Sequence, residues 1–450
     1  MGNVVVIGAG VAGIQAALDI ASHGIHVDLI EREPTIGGHM AMLDKTFPTN
    51  DCSMCILSPK MVEVSRNPNI TIHTLTEVEK VEGEAGHFRV TVKKHPRYID
   101  ETTCNGCGDC VLVCPVEVYN RFDAGIGVRK AIYKPHPQAV PDIVIRDKEH
   151  CIECGLCYDV CGPGSVKRED REQEFVLDAS SIVLATGYEV FNPRKKPQLG
   201  HLVLSDVITS IELERMINAG GPTGGKVLRL STGEKPKSIV FLQCVGSRDM
   251  TINRPYCSCV CCMQAIKNAI LIKEKSPETD VTICYIDIRS FGKGYEEYYE
   301  RAKALGVRFL RGMPSDIIPD KDGQIMQVEN TETAEVTVMH PDLVVLSVGM
   351  EPAPSLASLA EKVGIPLEES GFVRTVHDAL DTTATLRPGI YVAGTAVAPK
   401  DIPDSVASGG SAAMRAYRDA VAPGVLRNDT ESGRPEPVRA RRKTARLRSE

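Results

Sequence analysis

The chain opens on four apolar residues, Val4-Val5-Val6-Ile7, followed by Gly8, Gly10 and Gly13 and then a helical stretch from Ile14 to Ser22. A second short run, Val27 to Ile30, follows. A β-branched run that ends at a glycine reads as a buried strand, and strand, helix, strand in that order reads as a β–α–β unit of a parallel sheet. Later runs repeat the signal: Ser181 to Ala185, Ser238 to Leu242, Val281 to Ile286, Leu343 to Val348 and Gly389 to Ala393. Met263–Lys273 and Ser408–Tyr417 keep helical register. Phe88–Lys93 alternates as a strand, with Phe175–Asp178 as its return partner. The pattern predicts an α/β fold with two Rossmann-type units, interrupted between 97 and 170 by a segment rich in cysteine and proline. After Ala422 the pattern stops. Arg439, Arg441, Arg442, Lys443, Arg446 and Arg448 make the tail basic, and residues 422–450 read as disordered.

Composition narrows the class. Of 450 residues, 42% are hydrophobic and 25% charged, as in an ordinary globular protein. A net charge of −7 argues against nucleic acid and against an acidic membrane surface. No apolar run approaches the ~18 residues a membrane-spanning helix needs. The N-terminus lacks a secretory pattern. Sixteen cysteines in such a chain suggest metal sites or redox thiols in a reducing, cytoplasmic setting.

Gly8, Gly10 and Gly13 form G-x-G-x-x-G between a strand and a helix. The first permits the tight turn, the second lets backbone approach a pyrophosphate, and the third lets helix pack on strand. Glu31 ends the second strand, where an acid holds a ribose hydroxyl. Together these residues predict a dinucleotide site.

Eight cysteines fall in two copies of one spacing. The first is Cys104, Cys107, Cys110 and Cys114, followed by Pro115. The second is Cys151, Cys154, Cys157 and Cys161, followed by Gly162-Pro163. This is the ferredoxin run for two [4Fe–4S] clusters, in which the fourth cysteine serves the other cluster. Cys104, Cys107, Cys110 and Cys161 would hold one cluster; Cys151, Cys154, Cys157 and Cys114 would hold the other.

The strand Ser238–Leu242 should lead into a second glycine fingerprint. It leads instead into Cys244, then Tyr256-Cys257-Ser258-Cys259-Val260-Cys261-Cys262. Without the glycines a nicotinamide dinucleotide has no close approach, so no NAD(P) is expected. The cysteines are read as a third iron–sulfur cluster, with zinc or buried free thiols as the other readings. Lys267 follows on the next helix, either near a cofactor or solvated on a helix face. Cys52-x-x-Cys55 is a redox disulfide, half of a metal site, or two incidental thiols.

Two resemblances add to this. Glu31-Arg32 with Gly37-Gly38, the Ala185-Thr186-Gly187 turn, and Gly394-Thr395 resemble the FAD site of disulfide-reductase-like flavoproteins. That family carries Asp where Thr395 stands. The resemblance implies FAD as the dinucleotide. In the same family fold, Ser408–Tyr417, opened by Gly409-Gly410, would point its N-terminus at the flavin. The FAD motif, Thr49-Asn-Asp-Cys52-Ser-x-Cys55, the inserted ferredoxin and Cys244…Cys257-x-x-x-Cys261-Cys262 together resemble the A subunit of heterodisulfide reductase, over roughly residues 1–420.

This second resemblance implies a third [4Fe–4S] cluster on Cys244, Cys257, Cys261 and Cys262, with Cys259 as an extra thiol. It also implies Lys267 as the catalytic residue beside the flavin N5. Family members bind FAD and bifurcate electrons, one uphill to ferredoxin and one toward a disulfide. This chain would be a short form, without the extra N-terminal cluster domain and C-terminal ferredoxin.

The expected organisation is a discontinuous FAD domain (1–96, 171–235 and 351–421), an inserted bacterial-type ferredoxin domain of α+β type (97–170), and a degenerate NAD-like domain (236–350). The expected function is an FAD and iron–sulfur electron-transfer subunit of a heterodisulfide reductase-type complex. Its partners would be the other subunits, ferredoxin, and a hydrogenase or formate dehydrogenase-type donor, with a homodimer inside the larger complex. The alternatives are a self-contained ferredoxin-dependent disulfide or quinone-pool reductase working through Cys52 and Cys55, and a non-catalytic electron relay.

Overall fold

The computed structural model describes residues 2–321 and 323–422. The expected disordered tail lies outside them, apart from Ala422. Four fully buried strands form the centre of the first sheet. Val4–Ile7 pairs in parallel with Val27–Ile30 on one side and Ser181–Leu184 on the other. Ile390–Val392 and Ile70–His73 extend the parallel set, and the hairpin Thr375–His377/Asp381–Thr385 closes one edge. The strands are apolar on both faces because both faces are covered.

One face carries the first helix, Val11–Ser22, packed on the last, Ile402–Val421. Small residues set their distance: Ala12, Ala16 and Ala17 meet Ala412, Ala413 and Ala416. A Cβ on Gly409 would lie 2.5 Å from the Ala12 carbonyl oxygen, so glycine is required by close approach. The last helix therefore begins earlier than its glycines suggest. Asp401 caps it by accepting from Asp404 N–H, and Pro403 sits in its first turn.

A second sheet of five parallel strands runs in the order Val207–Thr209, Leu343–Val348, Ser238–Val245, Asp280–Tyr285, Arg308–Arg311. Val207–Thr209 and the helix Ser210–Ile217 fall within the 171–235 segment expected in the FAD domain. Here they join the second sheet and its core instead. Three residues make too short a run to declare its sheet from sequence. Tyr188–Val190 pairs with Met350–Pro352 where the chain crosses between the two domains.

The cysteine-rich segment grows from a sheet of three antiparallel strands. Phe175 lies opposite Val92 and Ala179 opposite Phe88. The chain leaves this sheet at Lys94 and re-enters at Gln173. Between those points the insert has its own small core of Ile99, Ile132, Val144 and Val166 packed with cysteines. No helix among the described residues is long and apolar enough to cross a membrane.

Candidate functional site

A cavity of about 830 Å³ opens where the two sheets and the insert meet. That is within the ~300–1,000 Å³ common for cofactor clefts. Gly8, Gly10, Glu31, Arg32, Gly38, Ala185, Thr186, Gly187, Gly394 and Thr395 line it, while Gly13 and Gly37 stand behind. Gly8 has φ +101°, and a Cβ there would lie 2.3 Å from the Ala185 carbonyl oxygen. A Cβ on Gly13 would lie 1.9 Å from the Gly8 carbonyl oxygen. Around Gly10 no described atom comes within 4 Å of such a Cβ, so its backbone faces open space at the helix N-terminus.

The Glu31 carboxylate is buried and held by two amides. Ala9 N–H donates to Oε2 at 2.8 Å and Glu33 N–H to Oε1 at 2.9 Å. Burial pushes its pKa up, and these bonds oppose the rise. Thr186 Oγ1, Ser210 Oγ and both ring nitrogens of His136 are buried on this wall with no partner among the described residues. Buried polar atoms are normally hydrogen-bonded, so an array of this kind fits a polar, dinucleotide-sized occupant. Thr395 is buried in the wall and offers a hydroxyl where the flavoprotein resemblance implies a carboxylate. Lys400, Asp401 and Pro403 put the N-terminus of the last helix on the cavity.

The strand Ser238–Val245 slips register between Leu242 and Val245, and Cys244 takes φ +58° in the slip. Gly246 follows at φ +81°, where a Cβ would lie 2.0 Å from the Phe191 ring. A loop then runs to the helix Cys261–Lys275. Cys244, Cys257, Cys261 and Cys262 collect around the start of that helix, close enough to feel one another's charge. Burial, then Cys262, pushes the Cys244 thiol up to about 11, and burial raises Cys261 and Cys262. Cys257 is pulled down to about 6, first by the Cys259 thiol and then, against burial, by the Cys259 amide, Arg289 and Arg248. Thiolates are ligands of zinc and of iron–sulfur clusters, so four thiols gathered in a largely buried place are residues that could hold a metal centre. Cys259 stands beside them, its Sγ 3.6 Å from the Cys257 carbonyl oxygen.

Lys267, on the same helix, is 1% exposed and lines the cavity, so the solvated-lysine reading does not hold. Its Nζ donates to Glu214 Oε1 at 2.5 Å and to the Lys45 carbonyl oxygen at 2.9 Å. Gln264 Nε2 donates to the same Glu214 oxygen at 3.2 Å, and Asp44 N–H to the other at 3.1 Å. Sequence reasoning misses Glu214. Its only signal is a carboxylate between Leu213 and Met216 in a helix buried throughout.

In the insert, Cys104, Cys107, Cys110 and Cys161 line one small cavity, and Cys114, Cys151, Cys154 and Cys157 line another. Each run therefore lends its fourth cysteine to the other group. Burial, then the neighbouring thiols, pushes Cys110 up to about 12. The second group has a cation that the sequence does not flag: Arg146, 3% exposed, donates from Nε to Cys151 Sγ at 3.3 Å. Cys52 and Cys55 are joined as a disulfide at the start of the helix Ser53–Arg66. Cys52 caps that helix, and neither cysteine is on the cavity wall.

The pyridine nucleotide-disulphide oxidoreductase family model matches residues 2–103 and 275–416, and the 4Fe-4S dicluster domain model matches 103–166. Residues 167–274, with Cys244 to Cys262, fall outside both. The chain is 51% identical over 411 residues to the iron-sulfur A subunit of the CoB--CoM heterodisulfide reductase of Methanocaldococcus jannaschii, covering 91% of this chain and 63% of that protein. It is 51% identical over 413 residues to the A subunit of the H(2):CoB-CoM heterodisulfide,ferredoxin reductase of Methanothermobacter marburgensis, with the same coverage. The chain thus spans less than two thirds of the length of these relatives.

Among solved structures, thioredoxin reductases from T. acidophilum and Lactococcus lactis align with TM-scores of 0.52 and 0.51, at 14% and 17% identity. They cover 93% and 94% of this chain and 99% of each of theirs, a likeness of fold alone. The expected α/β flavoprotein fold with a dicluster insert is therefore present, and the likeness to heterodisulfide reductase A subunits runs along nine-tenths of the sequence. The chain belongs to the pyridine nucleotide-disulphide oxidoreductase family, with a 4Fe-4S dicluster domain set inside it.

Proposed function

We propose that this chain is the FAD and iron–sulfur electron-transfer subunit of a heterodisulfide reductase-type complex. In this reading the complex divides a two-electron input between ferredoxin and a disulfide-reducing subunit. The input comes from a hydrogenase or formate dehydrogenase-type donor. The observation that carries the proposal is the helix Cys261–Lys275. Its first residues gather cysteines where the second domain of a nicotinamide-dependent flavoprotein would receive a pyrophosphate, and Lys267 of the same helix lines the FAD cavity.

When bound, FAD supplies exchange of electrons in pairs or singly, and the clusters supply single-electron transfer. Gly8, Gly10 and Gly13 admit the pyrophosphate to backbone amides, and Glu31 is fixed to receive ribose hydroxyls. Cys244, Cys257, Cys261 and Cys262 would hold a third cluster and leave no room for NAD(P). Lys267 Nζ donates to Glu214 Oε1 on the wall, and both side chains are buried there. Such a pair fixes an N–H donor group and a carboxylate at the cavity.

One observation favours a second reading. The Cys52–Cys55 disulfide, with Cys55 exposed, suits a self-contained ferredoxin-dependent disulfide or quinone-pool reductase. Turnover separates the two. Under the first reading the purified chain reduces no disulfide until partner subunits are added, and NADH leaves its flavin oxidised. Disulfide reduction by the chain alone supports the second reading. Direct flavin reduction by NADH overturns the loss of the nicotinamide site.

A further inference from the structure

Within the insert, the segment between the two cysteine runs lies against the FAD domain. Ile36 N–H donates to the Val140 carbonyl oxygen at 3.0 Å, and Val140 N–H donates to Thr35 Oγ1 at 2.9 Å. From the second domain, Arg215 Nε donates to Asp123 Oδ1 of the insert at 3.0 Å. Through this docking Phe122, Tyr133 and His136 of the insert become part of the FAD cavity's wall.

His136 is 4% exposed, and neither of its ring nitrogens has a partner among the described residues. Phe122 stacks on its face, with centroids 5.0 Å apart and planes at 25°. The Arg215 guanidinium lies 4.7 Å from the centre of the Phe122 ring. With a face of the imidazole taken up by Phe122, hydrogen bonding is left to its edge. Burial, then Arg215 and Lys134, pushes the imidazole down to about 4, so it is neutral at pH 7 and carries one N–H and one acceptor nitrogen. A phosphate only accepts and would leave the second nitrogen unpaired. Hydroxyls both give and accept.

We propose that His136 is a binding residue of the FAD site, exchanging hydrogen bonds with hydroxyls of the cofactor, and that the ferredoxin insert is thereby a structural part of that site. The inference rests on FAD occupying this cavity. Because binding linkage is reciprocal, FAD then holds the insert in place as firmly as the insert holds FAD.

The test is FAD titration of flavin-free, full-length protein as wild type, His136→Leu and His136→Asn. His136→Leu should bind FAD at least tenfold more weakly, and His136→Asn, which keeps a donor and an acceptor, should lose less. FMN and ADP titrated separately tell which hydroxyls are met: a loss confined to FMN places them on the ribityl chain, a loss confined to ADP on the ribose. The melting temperature of flavin-free His136→Leu should match wild type, with only the rise on adding FAD reduced. Hydrogen exchange at residues 133–141 should slow with FAD in wild type and less so in the variant. Unchanged FAD affinity in His136→Leu overturns the proposal, as does a loss matched by a lower flavin-free melting temperature. Wild type that takes up no FAD would instead overturn the occupant of the cavity.

Discussion

At the scale of single residues, what the sequence displays and what it hides differ by distance along the chain. The ferredoxin cysteines and the first glycines are legible because each set is local and its spacing is fixed by one turn of backbone. Glu214 meets Lys267 across 53 residues, while His136 acts from a loop and Arg146 from the two-residue strand Ile145–Arg146, neither with a periodic signature. The Lys267–Glu214 pair lends itself to a double-variant measurement. Lys267→Met leaves a buried carboxylate without its counter-charge and should cost about 3–5 kcal/mol of stability. Lys267→Met combined with Glu214→Leu should restore most of that stability in a thermal or denaturant melt, while turnover of the assembled complex stays lost. Recovery of turnover in the double variant would reduce the pair to packing. Arg146 allows a second measurement. A charge-assisted hydrogen bond to a ligand sulfur favours the reduced, more negative cluster. Arg146→Leu should therefore lower the midpoint potential of the cluster on Cys114, Cys151, Cys154 and Cys157 by about 60 mV, a tenfold change for one electron. The other cluster of the insert, whose cysteines take no arginine contact of this kind among the described residues, should hold its potential in an EPR-monitored titration.

Elements are legible where apolar runs are long and misplaced where glycine is ambiguous. The sequence suggests that the final helix opens at Gly409-Gly410, because glycine normally interrupts a helix. Instead it opens at Ile402 and passes straight through both glycines, since Gly409 is set by the approach of the first helix. The same distinction separates two glycines of the fingerprint. In Gly13→Ala the new methyl meets the Gly8 carbonyl oxygen, so the variant should lose both fold stability and FAD. In Gly10→Ala it meets no described atom, so the flavin-free protein should melt within about 1 kcal/mol of wild type while its FAD affinity falls at least tenfold. Equal losses of stability in the two variants would contradict the roles assigned to them.

On the scale of the whole molecule, the two sheets and the insert meet around one cavity. The insert supplies part of the cavity wall, the second sheet supplies the cysteine helix, and the first sheet supplies the glycine turn. The sequence shows each module but not this convergence, because contacts far apart in the chain, such as those of Val140 with Ile36, Arg215 with Asp123 and Asp44 with Glu214, bring the modules together. Under the proposed function, cysteines take over the position of a nicotinamide site in a flavoprotein of this fold. Anaerobic determination of iron, sulfide and flavin per chain, with EPR on the reduced protein, tests it most directly. The expected result is about twelve iron atoms, as three four-iron clusters, with one FAD, falling to about eight in Cys244→Ser while FAD and the two insert clusters remain. About eight iron atoms in the wild type, with no change in Cys244→Ser, would contradict it.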